Sequence, residues 1–163
     1  EALDMAHSVA SALEAVHAAG LVHRDVKPLN VLVARDGTVK LTDLGLAREV
    51  GGKDESPVAV YGSPHTISPE QVQGERVDIR ADLYGLGATL FHALAGKPPF
   101  DGTDPVGVMT RHVTEPAPDL RVVKPEVSED VARLVRWLLA KNRDERPATP
   151  TKVIEAIDAI RSS

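Results

Sequence analysis

The sequence predicts a mainly α-helical chain that carries one small β-hairpin, and three observations lead there. Apolar residues recur at helical spacing over long stretches, most clearly within residues 2–18, 79–95 and 128–139. Asp36-Gly37 sits between Val31-Leu32-Val33 and Val39-Lys40-Leu41, which is a strong hairpin signal. Little strand signal follows residue 43. Length agrees with one domain, since 163 residues with 42% hydrophobic and 26% charged content have room for a core.

The elements follow in order. Leu3, Ala6, Val9, Ala10, Leu13 and Val16 line one face of a helix over residues 2–18, and Gly20 is a natural stop. The polar run His23-Arg24-Asp25-Val26-Lys27-Pro28-Leu29-Asn30 comes next, and the hairpin follows it. Residues 46–64 lack a period and hold several glycines and prolines, which predicts a long mobile loop. Residues 79–95 are apolar nearly all round, as expected of a helix at the centre of a domain, and Gly96 and Pro98-Pro99 end it. A short helix is expected over 104–113. Ser128 caps another, with Glu129 and Asp130 in its first turn. A last helix starts at Thr149-Pro150 and is lined by Val153, Ile154, Ile157 and Ile160.

Composition narrows the function. A formal net charge of -5 with no compensating basic stretch argues against nucleic acid as a partner. The absence of cysteine excludes disulfides and favours an intracellular, cytoplasmic setting. No apolar run is long enough to span a bilayer and no signal peptide opens the chain. Glu rather than Met at position 1 predicts a piece of a longer protein.

If Asp36 and Gly37 form a two-residue loop, Val31 faces Thr42 and Asn30 faces Asp43. Opposed side chains stand roughly 4.5–5.5 Å apart at Cβ, so two oxygen donors there suit one Mg²⁺ at about 2.1 Å. A bulged turn slips the register by one and still leaves the two as neighbours. Two ordinary polar residues at strand ends remain the plain alternative. His7, His17, His92 and His112 have no metal-ligand spacing and read as helix-face or surface residues, and Trp137 reads as core.

Taken together, the motifs resemble those of a protein-kinase catalytic domain. His23 to Asn30 resembles the catalytic loop. Asp43-Leu44-Gly45 stands where kinases carry Asp-Phe-Gly, and Ser68-Pro69-Glu70 where they carry Ala-Pro-Glu. Asp82 in the apolar helix and Arg146 also fit, and the wording is most similar to bacterial serine/threonine kinases of the eukaryotic type. The resemblance implies that the chain, residues 1–163, is a partial catalytic domain: a C-terminal lobe of an α+β parent fold, without its N-terminal lobe.

The resemblance also implies roles. Asp25 orients the substrate hydroxyl and accepts its proton, Lys27 holds charge on the transferring phosphoryl group, and Asn30 and Asp43 hold Mg²⁺ (or Mn²⁺) for ATP. Asn30 and Lys27 thus count among both the catalytic and the ATP-binding groups. Gly45 lets the backbone turn into the mobile loop. Arg24 is open to two readings: it receives a phosphate from that loop, with Ser56 its candidate donor, or it pairs with a local carboxylate. Ser63 bridges Asp25 and Lys27 and points to Ser/Thr substrates. His23, Asp82 and a buried Glu70–Arg146 pair are structural. Thr66 in place of a common Tyr and Leu44 in place of Phe are departures from the pattern.

The implied partners are protein substrates and the N-terminal lobe, with a dimer left open and the parent allowed a membrane anchor outside this chain. A glycine-rich loop and a strand lysine paired with a helix glutamate are not found in the 163 residues, so the chain alone is expected to be inactive. A pseudokinase-like scaffold and a small-molecule phosphotransferase are the competing readings. The first predicts decay at Asp25, Asn30 or Asp43, all of which are present.

Overall fold

A computed structural model describes residues 1–50 and 62–163. Ser56 and most of the expected mobile loop lie outside the described residues.

Helix α1 (Ala2–Ala18) buries Ala6, Val9, Ala10 and Leu13 completely, as its spacing predicts. Strand β1 (Leu21–Val22) follows, then the polar loop and a 3₁₀ turn at Pro28–Asn30. Strands β2 (Val31–Val33) and β3 (Val39–Leu41) form the hairpin. After a 3₁₀ turn at Leu44–Leu46, β4 (Arg48–Glu49) pairs antiparallel with β1, Leu21 opposite Glu49 and Val22 opposite Arg48. This pairing adds a second ribbon to the single hairpin expected, although strand after residue 43 is limited to these two residues among those described. Two residues per strand are too few to leave an alternating pattern.

The hairpin register also differs from the expected one. Val31 pairs with Leu41 and Val33 with Val39, so the loop has three residues, not two. Gly37 donates to the Ala34 carbonyl at 3.0 Å and sits at φ 86°. That is the turn plus left-handed residue that three-residue hairpin loops favour. Asn30 therefore lies beside Thr42 rather than opposite Asp43, with the Thr42 amide donating to the Asn30 carbonyl at 2.8 Å.

Helix α2 (Pro69–Val72) is short and tightly capped: the Ser68 hydroxyl accepts from the Gln71 amide while the Gln71 side chain returns to the Ser68 amide. Helix α3 (Ile79–Ala95) is buried along most of its length, and α1 and α6 pack against it. Gly87 permits the α6 contact, because a Cβ there would meet the Leu138 Cβ at 2.6 Å. Helices α4 (Pro105–Thr114), α5 (Leu120–Val123), α6 (Glu129–Leu138) and α7 (Pro150–Ser162) complete the chain, with α7 against α1. Among the described residues the architecture is mostly helical with two small antiparallel ribbons. No helix among the described residues is long and apolar enough to cross a membrane.

Two side chains sit elsewhere than expected. Trp137 is 37% exposed beside Ala156 and Ile160 of α7, not in the core, because it stands on the outer edge of the apolar face of α6. His112 is fully buried, with its Nδ1 2.6 Å from the Tyr84 hydroxyl.

Candidate active site

His23, Arg24, Asp25 and Asn30 of the polar run between β1 and β2 are buried, and the structure shows what makes that tolerable. Unpaired polar groups inside a core each cost about 1–3 kcal/mol, so every one needs a partner. Asp82, one turn into α3, supplies two acceptors: its carboxylate takes the His23 amide at 2.7 Å and the Arg24 amide at 2.8 Å. Burial pushes the Asp82 carboxyl up to about 7, while those two N–H donors and the Arg24 charge oppose the shift.

His23 is fully buried and works at both ring nitrogens. Its Nδ1 accepts from the Asp25 amide at 3.1 Å, so the proton sits on Nε2, which donates to the Thr42 carbonyl at 2.8 Å. One imidazole thus spans from the loop to the end of the hairpin, one residue before Asp43.

Asp25, 8% exposed, is the focus of the loop. Its Oδ1 accepts from the Ser63 hydroxyl at 3.0 Å, and Lys27 Nζ donates to that same hydroxyl at 2.8 Å. Its Oδ2 lies 3.3 Å from Lys27 Nζ and 3.3 Å from the Asn30 amide nitrogen. The Asn30 nitrogen also donates to the Asp25 carbonyl at 2.8 Å. Both of these bonds use the side-chain nitrogen of Asn30, and among the described residues its side-chain amide oxygen accepts none. The sequence-predicted Lys27, Asn30 and Ser63 therefore all meet at Asp25.

Asp43 is placed differently. Its side chain is exposed and its Oδ1 accepts from the Gly45 amide at 3.2 Å. Asp43 itself takes the left-handed conformation, φ 62° and ψ 73°, while Gly45 does not. The turn expected at Gly45 is made at Asp43. Gly45 matters for space instead, since a Cβ there would stand 3.0 Å from the Asp43 carboxylate.

The structural pair forms as the motifs imply. Arg146 meets Glu70 in a bidentate contact at 2.6 and 2.9 Å, and its remaining N–H groups go to the carbonyls of Ala140, Arg80 and Lys141. Its guanidinium also stacks over Tyr84, 4.9 Å from the ring centre. This pair ties α2 to the segment between α6 and α7. Arg24 is buried beside Asp25, and its candidate partner Ser56 lies outside the described residues.

One residue that the motif reading passed over belongs to the site. Gln71 donates from Nε2 to the Arg24 carbonyl at 3.0 Å. The pattern Ser68-x-x-Gln71 announces a helix cap, which is the signal that could have drawn attention to it.

The family described as "Protein kinase domain" matches residues 1–156. A probable serine/threonine-protein kinase of Streptomyces coelicolor is 42% identical over 147 residues, 88% of this chain and 22% of that protein. The DNA damage-responsive serine/threonine-protein kinase RqkA of Deinococcus radiodurans is 44% identical over 139 residues, 83% of this chain and 21% of its own length. The serine/threonine-protein kinase PknA of Mycobacterium tuberculosis is 39% identical over 165 residues, 99% of this chain and 37% of its own length. The chain spans well under half the length of each of these relatives. With the family matched over nearly the whole chain, this chain belongs to the protein kinase domain family.

Proposed function

We propose that the chain is the C-terminal lobe of a serine/threonine protein kinase, whose intact protein transfers the γ-phosphoryl group of ATP to protein hydroxyls. The observation that carries this reading is the Ser63 hydroxyl held between the Asp25 carboxylate and the Lys27 ammonium. A hydroxyl in that position has an acceptor for its proton on one side and a cation on the other. An acceptor hydroxyl from a substrate needs the same two groups.

Asp25 then orients the attacking oxygen and takes its proton. An ordinary carboxylate is a weak base at neutral pH, which suits a loose transition state in which positioning matters more than basicity. Lys27 stands where negative charge on the transferring group accumulates, and it is held there by Ser63. The donor set fits a hard cation: the amide oxygen of Asn30 and an exposed carboxylate on Asp43 are oxygen ligands of the kind Mg²⁺ takes alongside phosphates and water. Mg²⁺ so bound would neutralise phosphate charge.

The chain taken alone is proposed to bind Mg²⁺–ATP feebly and to transfer little, because the 163 residues hold no group assigned to enclose adenine or the inner phosphates. The test uses the intact protein with labelled ATP, Mg²⁺ and either a protein or a small alcohol as acceptor. Label on protein Ser or Thr, lost in Asp25→Asn, is expected. Label on the alcohol alone would favour a small-molecule phosphotransferase, and none on either acceptor a scaffold.

A further inference from the structure

We propose that Gln71 is a positioning residue for Asp25, acting through the peptide that joins Arg24 to Asp25. Arg24 sits at φ 72°, a left-handed conformation that a side-chain-bearing residue keeps only when its surroundings hold it there. The peptide after it has two polar groups, and the fold engages both: the Asp25 amide donates to His23 Nδ1 at 3.1 Å, and the Arg24 carbonyl accepts from Gln71 Nε2 at 3.0 Å. Rotation of this peptide would swing the Asp25 carboxylate away from Ser63, Lys27 and Asn30. His23 restrains one end of it and Gln71 the other.

Gln71 is itself aimed. Its Oε1 accepts from the Ser68 amide at 3.2 Å and from the Ser68 hydroxyl at 3.0 Å, and Ser68 is fully buried. Two donors on that oxygen fix which end of the amide is nitrogen, so the donor must face Arg24. Gly62 runs close by at φ 129°, a conformation that side-chain-bearing residues rarely adopt. One side chain thus couples the cap of α2 to the geometry of the catalytic loop, 47 residues away in sequence.

The inference rests on the kinase reading, and the substitutions separate the two jobs of Gln71. Gln71→Glu keeps an acceptor suited to the third position of a capping box but offers the Arg24 carbonyl no donor. Gln71→Met removes both. In the intact protein, Gln71→Glu is expected to lower kcat about tenfold, with KM for ATP within about twofold and a small drop in the unfolding midpoint. Gln71→Met should lower kcat similarly and lower the midpoint further. Amide hydrogen exchange at Asp25 should quicken in both, a readout that needs no activity. Wild-type kcat in Gln71→Glu, or unchanged exchange at Asp25, would overturn the inference. A wild-type protein that transfers no phosphoryl group would instead overturn the kinase reading, while the exchange still reports on Gln71.

Discussion

Asp25 and Asp43 are both acids in the candidate site, and the molecule treats them in opposite ways. Asp25 is 8% exposed and touches Ser63, Lys27 and Asn30, on a loop that Asp82 holds from beneath. Asp43 is exposed at the end of a hairpin whose Leu32 and Val33 are 55% and 63% exposed, and it accepts one hydrogen bond, from Gly45. The difference teaches which task each place suits. A buried charge must be surrounded by partners, and those partners also fix its direction. An exposed carboxylate keeps its lone pairs for an incoming ligand. The polar loop around Asp25 is therefore a preassembled half of the candidate site and the hairpin end an open half.

The strongest way to break this contrast is to remove each acid in the intact protein. Asp25→Ala should lower phosphoryl transfer by about 10²–10⁴, with Mg²⁺–ATP affinity largely kept. Asp43→Ala should lower both. Titration of Mg²⁺–ATP against the two variants checks it, and equal loss of nucleotide affinity would erase the distinction.

A second comparison sharpens the contrast through ion pairs. Arg146 faces Glu70 with both side chains almost wholly buried, and Arg161 of α7 pairs with Asp4 at the surface. Arg146→Ala leaves Glu70 buried without its partner and should cost about 3–5 kcal/mol. Arg161→Ala should cost about 0–1 kcal/mol, since exposed pairs are screened by water. Chemical unfolding of the two variants measures the gap.

The sequence carried much of the preassembled half and less of the rest, for physical reasons. The long helices were legible because burial imposes a period, and Asp25, Lys27, Asn30 and Ser63 because their motifs are compact. The hairpin was legible as a hairpin, but Asp36-Gly37 serves a two- or a three-residue loop equally well, so its register was not. The β1–β4 pairing left no pattern, and Trp137 shares its helix face with core residues while facing outward. Asp82 could be tied to the loop by motif alone. Gln71 could not, because its bond to Arg24 depends on how two distant segments meet.

His112 extends the contrast to pH. Burial, with Lys141 and His65 adding like charge, pushes this imidazole down to about 3. A folded-state value below the unfolded one means that the unfolded chain binds the proton first as pH falls. Stability should therefore be full above about pH 6.5 and should fall by roughly 2 kcal/mol by pH 5. His112→Gln, which keeps a hydrogen-bonding group near the Tyr84 hydroxyl, should flatten that limb. Unfolding midpoints for both proteins between pH 7.5 and 5 check it, and parallel curves would remove His112 as the cause.

The smallest expected effect belongs to the open half. Leu44 stands between Asp43 and Gly45 in the 3₁₀ turn and is 56% exposed. A side chain that keeps most of its surface in water loses little when it becomes polar, so Leu44→Ser should change stability by less than about 0.5 kcal/mol. Leu83 is fully buried in α3 beside Asp82, and truncating a core leucine to alanine typically costs about 2–5 kcal/mol. Unfolding free energies of Leu44→Ser and Leu83→Ala in this chain place the two on one scale. A large loss at Leu44 would mean that the hairpin end is braced by contacts its exposure does not reveal. Asp43 would then be as firmly preset as Asp25, and the division into a fixed half and an open half would fail.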